Sequence, residues 1–236
     1  MNKISMKKAM DDYRLYVFDL DGTLYFQKAF RIRMLIYLFW HVLFHPASIK
    51  DIFILKTYRK IREDWEKRET DEVGKLIPKE LSMEDRQYEY VAKIKGVSKN
   101  KVSAAVDFFM MKAPLSLLPD FADEELKKII LSIRKTGRIA VIYSDYPVED
   151  KLKALNVEAD GMYTSSDERI GTMKPDAKGL QVILADYNFD KEDVLMIGDR
   201  YEKDGLAAKA NGVDYLILPS KKSERDRLYK EKSLSN

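Results

Sequence analysis

The 236 residues include no cysteine, which excludes disulfides, thiolate catalysis and cysteine-held zinc or iron–sulfur centres. The absence fits a reducing compartment, and a cytoplasmic location is expected. Histidine is nearly absent: only His41 and His45 occur. Four apart, they could face one metal ion from a helix. No third ligand accompanies them, so packing or surface roles are favoured. Long apolar runs are also missing. The longest, Met34 to Phe44, is interrupted by His41 and falls short of the roughly 20 residues that span a bilayer. The basic start, Met1 to Lys8, leads into Ala9-Met10-Asp11-Asp12 without the apolar core of a signal peptide. Neither sign of charge dominates. A formal net charge of +3 gives no reason to expect a nucleic-acid partner. Internal repeats and low-complexity segments are lacking as well.

What remains is ordinary globular material, 45% apolar and 34% charged. It suffices for a good core, as one large domain or as a domain plus an insertion. The most telling stretch is Arg14-Leu15-Tyr16-Val17-Phe18-Asp19-Leu20-Asp21-Gly22-Thr23-Leu24. Its apolar part reads as a buried strand. The polar part must leave that strand in a loop at its C-terminal end, where open α/β sheets bind ligands. Asp19 and Asp21, two positions apart, fall on one side. Two close carboxylates either bind a metal or split into acid and nucleophile roles. A turn built from Asp and Gly is the plain alternative.

Residues 26 to 112 read as helices: Lys28 to Phe44, Ala47 to Arg68, Met83 to Lys95 with Ser82 as N-cap and Gly96 as stop, and Lys99 to Met111 with Ser98 as N-cap. From Asp120 the pattern alternates. Helix Asp120–Thr136 precedes strand 138–143, helix Pro147–Leu155, strand 161–164, helix Pro175–Tyr187, strand 194–197, a helix from Lys203 to Ala210 and strand 215–218. The tail from Ser220 to Asn236 reads as a frayed surface helix. Such alternation predicts a doubly wound, Rossmann-like parallel sheet, an α/β core of 1–25 and 113–236 with an all-helical insertion at 26–112. Asp19, Ser144 and Asp199 each follow a strand, so topology brings them to one edge.

Other chemically useful residues fall at strand ends or helix starts. Ser144 lies in Val141-Ile142-Tyr143-Ser144-Asp145, where a cap or turn serine is the commoner explanation. Lys174 lies in Gly171-Thr172-Met173-Lys174-Pro175, just before a helix, although any single lysine is a surface residue by default. Asp199 and Asp204 lie in Gly198-Asp199-Arg200-Tyr201-Glu202-Lys203-Asp204, where one of them could simply cap the next helix.

Taken in order, Asp19/Asp21, Ser144, Lys174-Pro175 and Asp199/Asp204 resemble motifs one to four of the haloacid dehalogenase superfamily. The helical insertion after motif one is similar to the cap of its phosphoglycolate-phosphatase-like branch. The resemblance implies a Mg²⁺-dependent phosphatase. Asp19 would attack phosphorus and Asp21 would act as general acid and base. Ser144 would bind a phosphoryl oxygen, with backbone N–H groups near Asp21 and Asp145 helping, and Lys174 would neutralise charge. Asp19, the Asp21 carbonyl and Asp199 would hold the metal, with Asp204 in its outer shell. Two positions depart from the usual pattern. Asp145 stands where relatives often carry Asn, and Lys203 where they carry Asn or Asp.

The expected partner is a small phosphorylated metabolite, over which such caps close. A phosphomutase would use the same residues. A dehalogenase would be expected to lack Asp21, and a scaffold acting through the apolar segment would not need the catalytic set. For the nearly all-apolar stretch from Ala29 to Phe44, burial within the insertion or against the core is favoured. An oligomer contact ranks next, and membrane-surface docking is not expected. The basic, aromatic segment that follows (Lys56, Tyr58, Arg59, Lys60, Arg62, Trp65) reads as a solvated face able to attract a phosphorylated ligand.

Overall fold

Strand β2 (Leu15–Phe18) is completely buried and lies inside a six-stranded sheet. The computed structural model describes residues 4–231, so the first three residues and the tail beyond Glu231 lie outside the described residues. The other strands are β1 (Ile4–Ser5), β3 (Ile139–Ser144), β4 (Gly161–Thr164), β5 (Val194–Gly198) and β6 (Asp214–Ile217). Their order across the sheet is β1-β6-β5-β2-β3-β4. All pairings are parallel except that of β1 with β6. Strand β1 was not expected; two residues are too few to show a periodicity.

The register sets up the site. Phe18 is level with Ile142 on one side and Ile197 on the other. The chain therefore leaves β2, β3 and β5 along one edge. There β2 leads to β3 on one side and β5 leads to β6 on the other, so the strand order switches direction between β2 and β5, the place where open α/β sheets bind ligands.

The helices are α1 (Gln27–Phe44), α2 (Ile49–Glu63), α3 (Trp65–Glu69), α4 (Met83–Lys95), α5 (Lys99–Val106), α6 (Glu124–Lys135), α7 (Glu149–Leu155), α8 (Lys178–Tyr187), α9 (Leu206–Ala210) and α10 (Lys222–Glu231). None among the described residues is long and apolar enough to cross a membrane. The chain divides into two compact units, Met1–Arg31 with Leu118–Asn236, and Ile32–Leu117. The first carries the sheet and α6 to α10, the second α2 to α5 and most of α1. The sequence boundaries fall at the loops near 25 and 112, whereas the first unit boundary falls inside α1, which runs on unbroken.

Caps explain several ends. Ser82 Oγ accepts from Asp85 N at 3.1 Å, and Gly96 closes α4 in the left-handed region at φ 64°. Ser98 caps α5 in the same way. Elsewhere the boundaries move. The helix expected to run to Arg68 breaks at Asp64. The helix expected from Pro175 begins at Lys178, after Asp176 Oδ1 accepts from Lys178 N at 2.8 Å. Wider π-type turns occupy Asp107–Lys112, where regular helix was expected to Met111, and Tyr201–Gly205, which begins two residues before the helix expected from Lys203.

Two segments differ more substantively. Helix α1 buries only Phe30. Ile32, Leu35, Phe39, Trp40, Leu43 and Phe44 are all more than half exposed, so burial of this stretch is not what the structure shows. The opposite side of the helix takes the packing, with the His41 ring against Phe108 and Phe109. As far as Glu231, the last described residue, the tail is not a loose surface helix either. Arg225 and Tyr229 of α10 are each 1% exposed.

Candidate active site

Asp19 is the first residue beyond β2, and its N–H still donates to the Ile197 carbonyl at 2.8 Å. This bond holds the start of the loop to the sheet, and the side chain is buried. Thr23 Oγ1 donates to Asp19 Oδ2 at 2.9 Å, and Lys174 Nζ donates to Oδ1 at 2.6 Å. Gly22, at φ 102°, lets the loop turn back, and its missing side chain makes room for Asp199. A Cβ there would lie 2.2 Å from Asp199 Oδ2. Gly198 plays the same part for Asp204, which a Cβ would meet at 2.2 Å.

Lys174 is buried at the centre. Besides Asp19 it donates to Asp204 Oδ1 at 2.7 Å and to the Tyr143 carbonyl at 3.2 Å. Burial alone would lower its pKa, but the Asp19 and Asp204 carboxylates outweigh that and hold the ammonium well above its ordinary value. The Asp19 pKa is raised as well, which for a carboxyl favours the neutral form. Its burial favours the neutral acid, Lys174 opposes this, and the charges of Asp204 and Asp199 add to the upward shift. Asp199 is raised by burial and by Asp204.

Three carboxylates, whose ligand atoms lie within 4.8 Å of one another, thus share the Lys174 ammonium, with the Arg200 guanidinium as a second positive charge near Asp199. Asp199 Oδ1 is buried and has no hydrogen-bond partner. An all-oxygen donor set, excess negative charge and an unsatisfied carboxylate oxygen fit a hard divalent cation such as Mg²⁺.

Asp21 is placed differently. Its carboxylate belongs to no part of that cluster. Lys151 Nζ donates to both of its oxygens, at 2.6 and 2.8 Å, and Tyr25 OH donates to Oδ1 at 2.6 Å. Burial would raise its pKa, but Lys151 and these hydrogen bonds bring it below the usual carboxylate value. In this structure Asp21 is an ionised, paired group.

Ser144 is buried at the end of β3, and its Oγ accepts from Tyr146 N at 3.1 Å. Asp145 ties loops together. Its Oδ1 accepts from Lys174 N at 2.9 Å and from Ser165 Oγ at 3.0 Å, which fixes the backbone that carries the central lysine. The two departures from the usual motifs turn out to be neighbours. Lys203 Nζ is 3.8 Å from Asp145 Oδ2 and also donates to the Lys174 carbonyl. A negative charge at 145 is thus met by a positive one at 203.

Sequence reading missed Lys151, Tyr25 and Arg225, and it singled out Lys203 without its partner Asp145. Arg225 donates to the carbonyls of Gly22 and Thr23, both within the loop that follows β2, and to Asp123 Oδ2 at 2.9 Å. Asp123 also caps α6 and accepts from Tyr229 OH at 2.8 Å. No spacing rule connects residue 225 to residue 22.

The model of the haloacid dehalogenase-like hydrolases matches residues 13–212. A glyceraldehyde 3-phosphate phosphatase of Pyrococcus abyssi is 32% identical over 91 residues, which cover 37% of this chain and only 38% of that relative. Among solved structures, the 2-haloacid dehalogenase of Pseudomonas syringae pv. Tomato aligns with a TM-score of 0.58 and 15% identity, over 87% of this chain and 86% of that one. The magnesium-bound putative hydrolase YfnB of Bacillus subtilis aligns with a TM-score of 0.58 and 19% identity, over 94% and 99%. These structural likenesses share the fold.

Proposed function

The chain belongs to the haloacid dehalogenase-like hydrolase family, and we propose that it is a Mg²⁺-dependent phosphatase of small phosphomonoesters acting in the cytoplasm. The observation that carries this reading is the cluster of Asp19, Asp199 and Asp204 around Lys174, with Asp199 Oδ1 left unsatisfied. Asp19, Asp199 and the Asp21 carbonyl would hold the cation, with Asp204 supporting it. The cation's contribution is neutralisation of charge on the carboxylate and phosphoryl oxygens.

The protein's own groups then account for two displacements. In the first, an Asp19 oxygen bonds to phosphorus as the ester P–O bond breaks, leaving an acyl phosphate on Asp19. The departing oxygen takes a proton from Asp21. In the second, water attacks phosphorus and gives a proton to Asp21. Inorganic phosphate leaves and the Asp19 carboxylate is restored. Lys174 keeps Asp19 oriented and compensates charge. Ser144 Oγ and backbone N–H groups near Asp21 and Asp145 receive phosphoryl oxygens. For Asp21 to act as an acid, its carboxylate has to leave Lys151 and take up a proton, so the Lys151–Asp21 pair describes a resting arrangement.

A second acid at 21 favours this chemistry over dehalogenation. The Pyrococcus relative is a glyceraldehyde 3-phosphate phosphatase, which makes a triose phosphate a sensible first substrate. The test is phosphate release from sugar phosphates, nucleotides and phosphoglycolate with and without Mg²⁺, with Asp19→Asn as control. Loss of release in that variant is expected. Retained release removes Asp19 from its role, and isomerised sugar phosphate without free phosphate replaces the phosphatase by a mutase.

A further inference from the structure

The exposed side of α1 has no use in the chemistry at Asp19. Ile32, Leu35, Phe39, Trp40, Leu43 and Phe44 recur at helical spacing on one side and are 52% to 72% exposed. Past the turn at 45–48, the apolar positions continue with exposed Ile49 and Phe53. Exposure of this many large apolar side chains in one continuous stretch is costly in water and marks a contact surface.

Charge identifies what the contact is. No Asp or Glu occurs between Asp21 and Asp51, while Lys28, Arg31, Arg33 and Lys50 do. Arg31 and Arg33 flank Ile32, and residues 34–49 carry no full charge at all. The cationic character continues on α2. A groove of about 590 Å³ is lined by Lys56, Lys60, Arg68 and Lys95, with exposed Phe53 among its walls and no acidic residue. Arg68 does lie 3.7 Å from Asp71, outside the lining. The same stretch of a second copy would offer Arg31, Arg33 and Lys50 no acidic partner. An anionic lipid surface complements both features at once, because it offers acyl chains to the aromatic side chains and headgroup phosphates to the cations. Helix α1 has 18 residues but is not apolar enough to span a bilayer, so it would lie along the surface.

We infer that α1 and the start of α2 form a docking surface for anionic membranes, on which the enzyme works as a peripheral protein. The docking is independent of the assignment of Asp19.

The test uses the full chain and vesicles of phosphatidylglycerol mixed with phosphatidylcholine, against phosphatidylcholine alone. The chain is expected to float with the anionic vesicles and not with the neutral ones. Trp40 reports directly, since the only other tryptophan, Trp65, is buried. Its emission should shift to the blue on anionic vesicles, and the shift should vanish in Trp40→Phe. Phe39→Ser with Trp40→Ser, and separately Arg31→Gln with Arg33→Gln, should each lower partitioning at least ~tenfold. Unchanged thermal melting of these surface variants, together with unchanged phosphate release in the absence of vesicles, keeps folding and catalysis out of the comparison. Failure to float with anionic vesicles at low salt overturns the inference. Equal binding to neutral vesicles, or binding unaffected by the Phe39/Trp40 change, does so too. A stable dimer in light scattering that this change dissociates gives the surface to a second copy instead.

Discussion

Lys174 and Lys151 divide the carboxylates of the site between them. Lys174 holds Asp19 and Asp204, while Lys151 holds Asp21. Replacing Lys174 by Met leaves three close carboxylates without their buried cation. Breaking a buried pair in this way costs about 3–5 kcal/mol. Urea unfolding without divalent metal should show that loss, and Mg²⁺ should recover part of it by binding only the folded state.

The Lys151–Asp21 pair has a pH signature. Asp21 titrates below its unfolded value, so its contribution is fully present above that value and is lost as the pH falls through the folded one. Lys151→Met should therefore cost roughly 3 kcal/mol at pH 7. The difference from the wild type should shrink once the pH drops below about 4. Unfolding midpoints of both proteins across that range check this, and a constant difference contradicts the pairing.

The site's main carboxylates were legible because each directly follows a buried apolar strand: Asp19 after Phe18 and Asp199 after Gly198. Lys151 was not, since a lysine on a short helix carries no pattern that distinguishes a solvated side chain from one folded back onto a carboxylate.

At the scale of elements, α10 is the clearest surprise. With its strongly polar sequence it reads as surface, yet Arg225 reaches the Gly22 and Thr23 carbonyls and Tyr229 reaches Asp123. Burial here depends on where the chain returns after β6, which local composition cannot report. Arg225→Met should leave Asp123 buried with its positive partner gone, destabilising the fold by about 3–5 kcal/mol. It should also slow catalysis by loosening the loop that carries Asp19, and a melting curve and a kcat measurement on the same variant check both effects. Apart from β1, the strands were readable to within a residue or so, since unbroken apolar runs such as Val194 to Ile197 have few alternatives. Helix starts were less so. Pro175 looked like a first turn, but the Asx-type bond of Asp176 to Lys178 N delays α8 by three residues.

Over the whole molecule, the parallel order of β5, β2 and β3 makes residues 19, 144 and 199 neighbours, so the fold class and the site come from the same alternation of strands and helices. What the alternation could not tell is how well the insertion covers its own apolar residues. A helical unit spanning Ile32–Leu117 buries Tyr58, Tyr90, Val91 and Val102 but leaves one side of α1 in water. The excess of negative charge in the site also acts on the molecule as a whole. Mg²⁺ at a hundred times its dissociation constant should stabilise the fold by about 2.7 kcal/mol, visible as a rise in melting temperature. Asp199→Asn should diminish that rise, and a rise of equal size in that variant removes Asp199 from the metal site.

The central claim is that Asp19 carries the phosphoryl group during turnover. It is tested most directly in the Asp21→Asn variant with p-nitrophenyl phosphate, whose leaving group needs no protonation, by acid quenching and mass spectrometry of the peptide around Asp19. The account predicts one phosphoryl group on Asp19, accumulating because the second displacement lacks its base, and none when Asp19→Asn is added. Release of p-nitrophenol with no adduct on that peptide, or with an adduct on another residue, would contradict it.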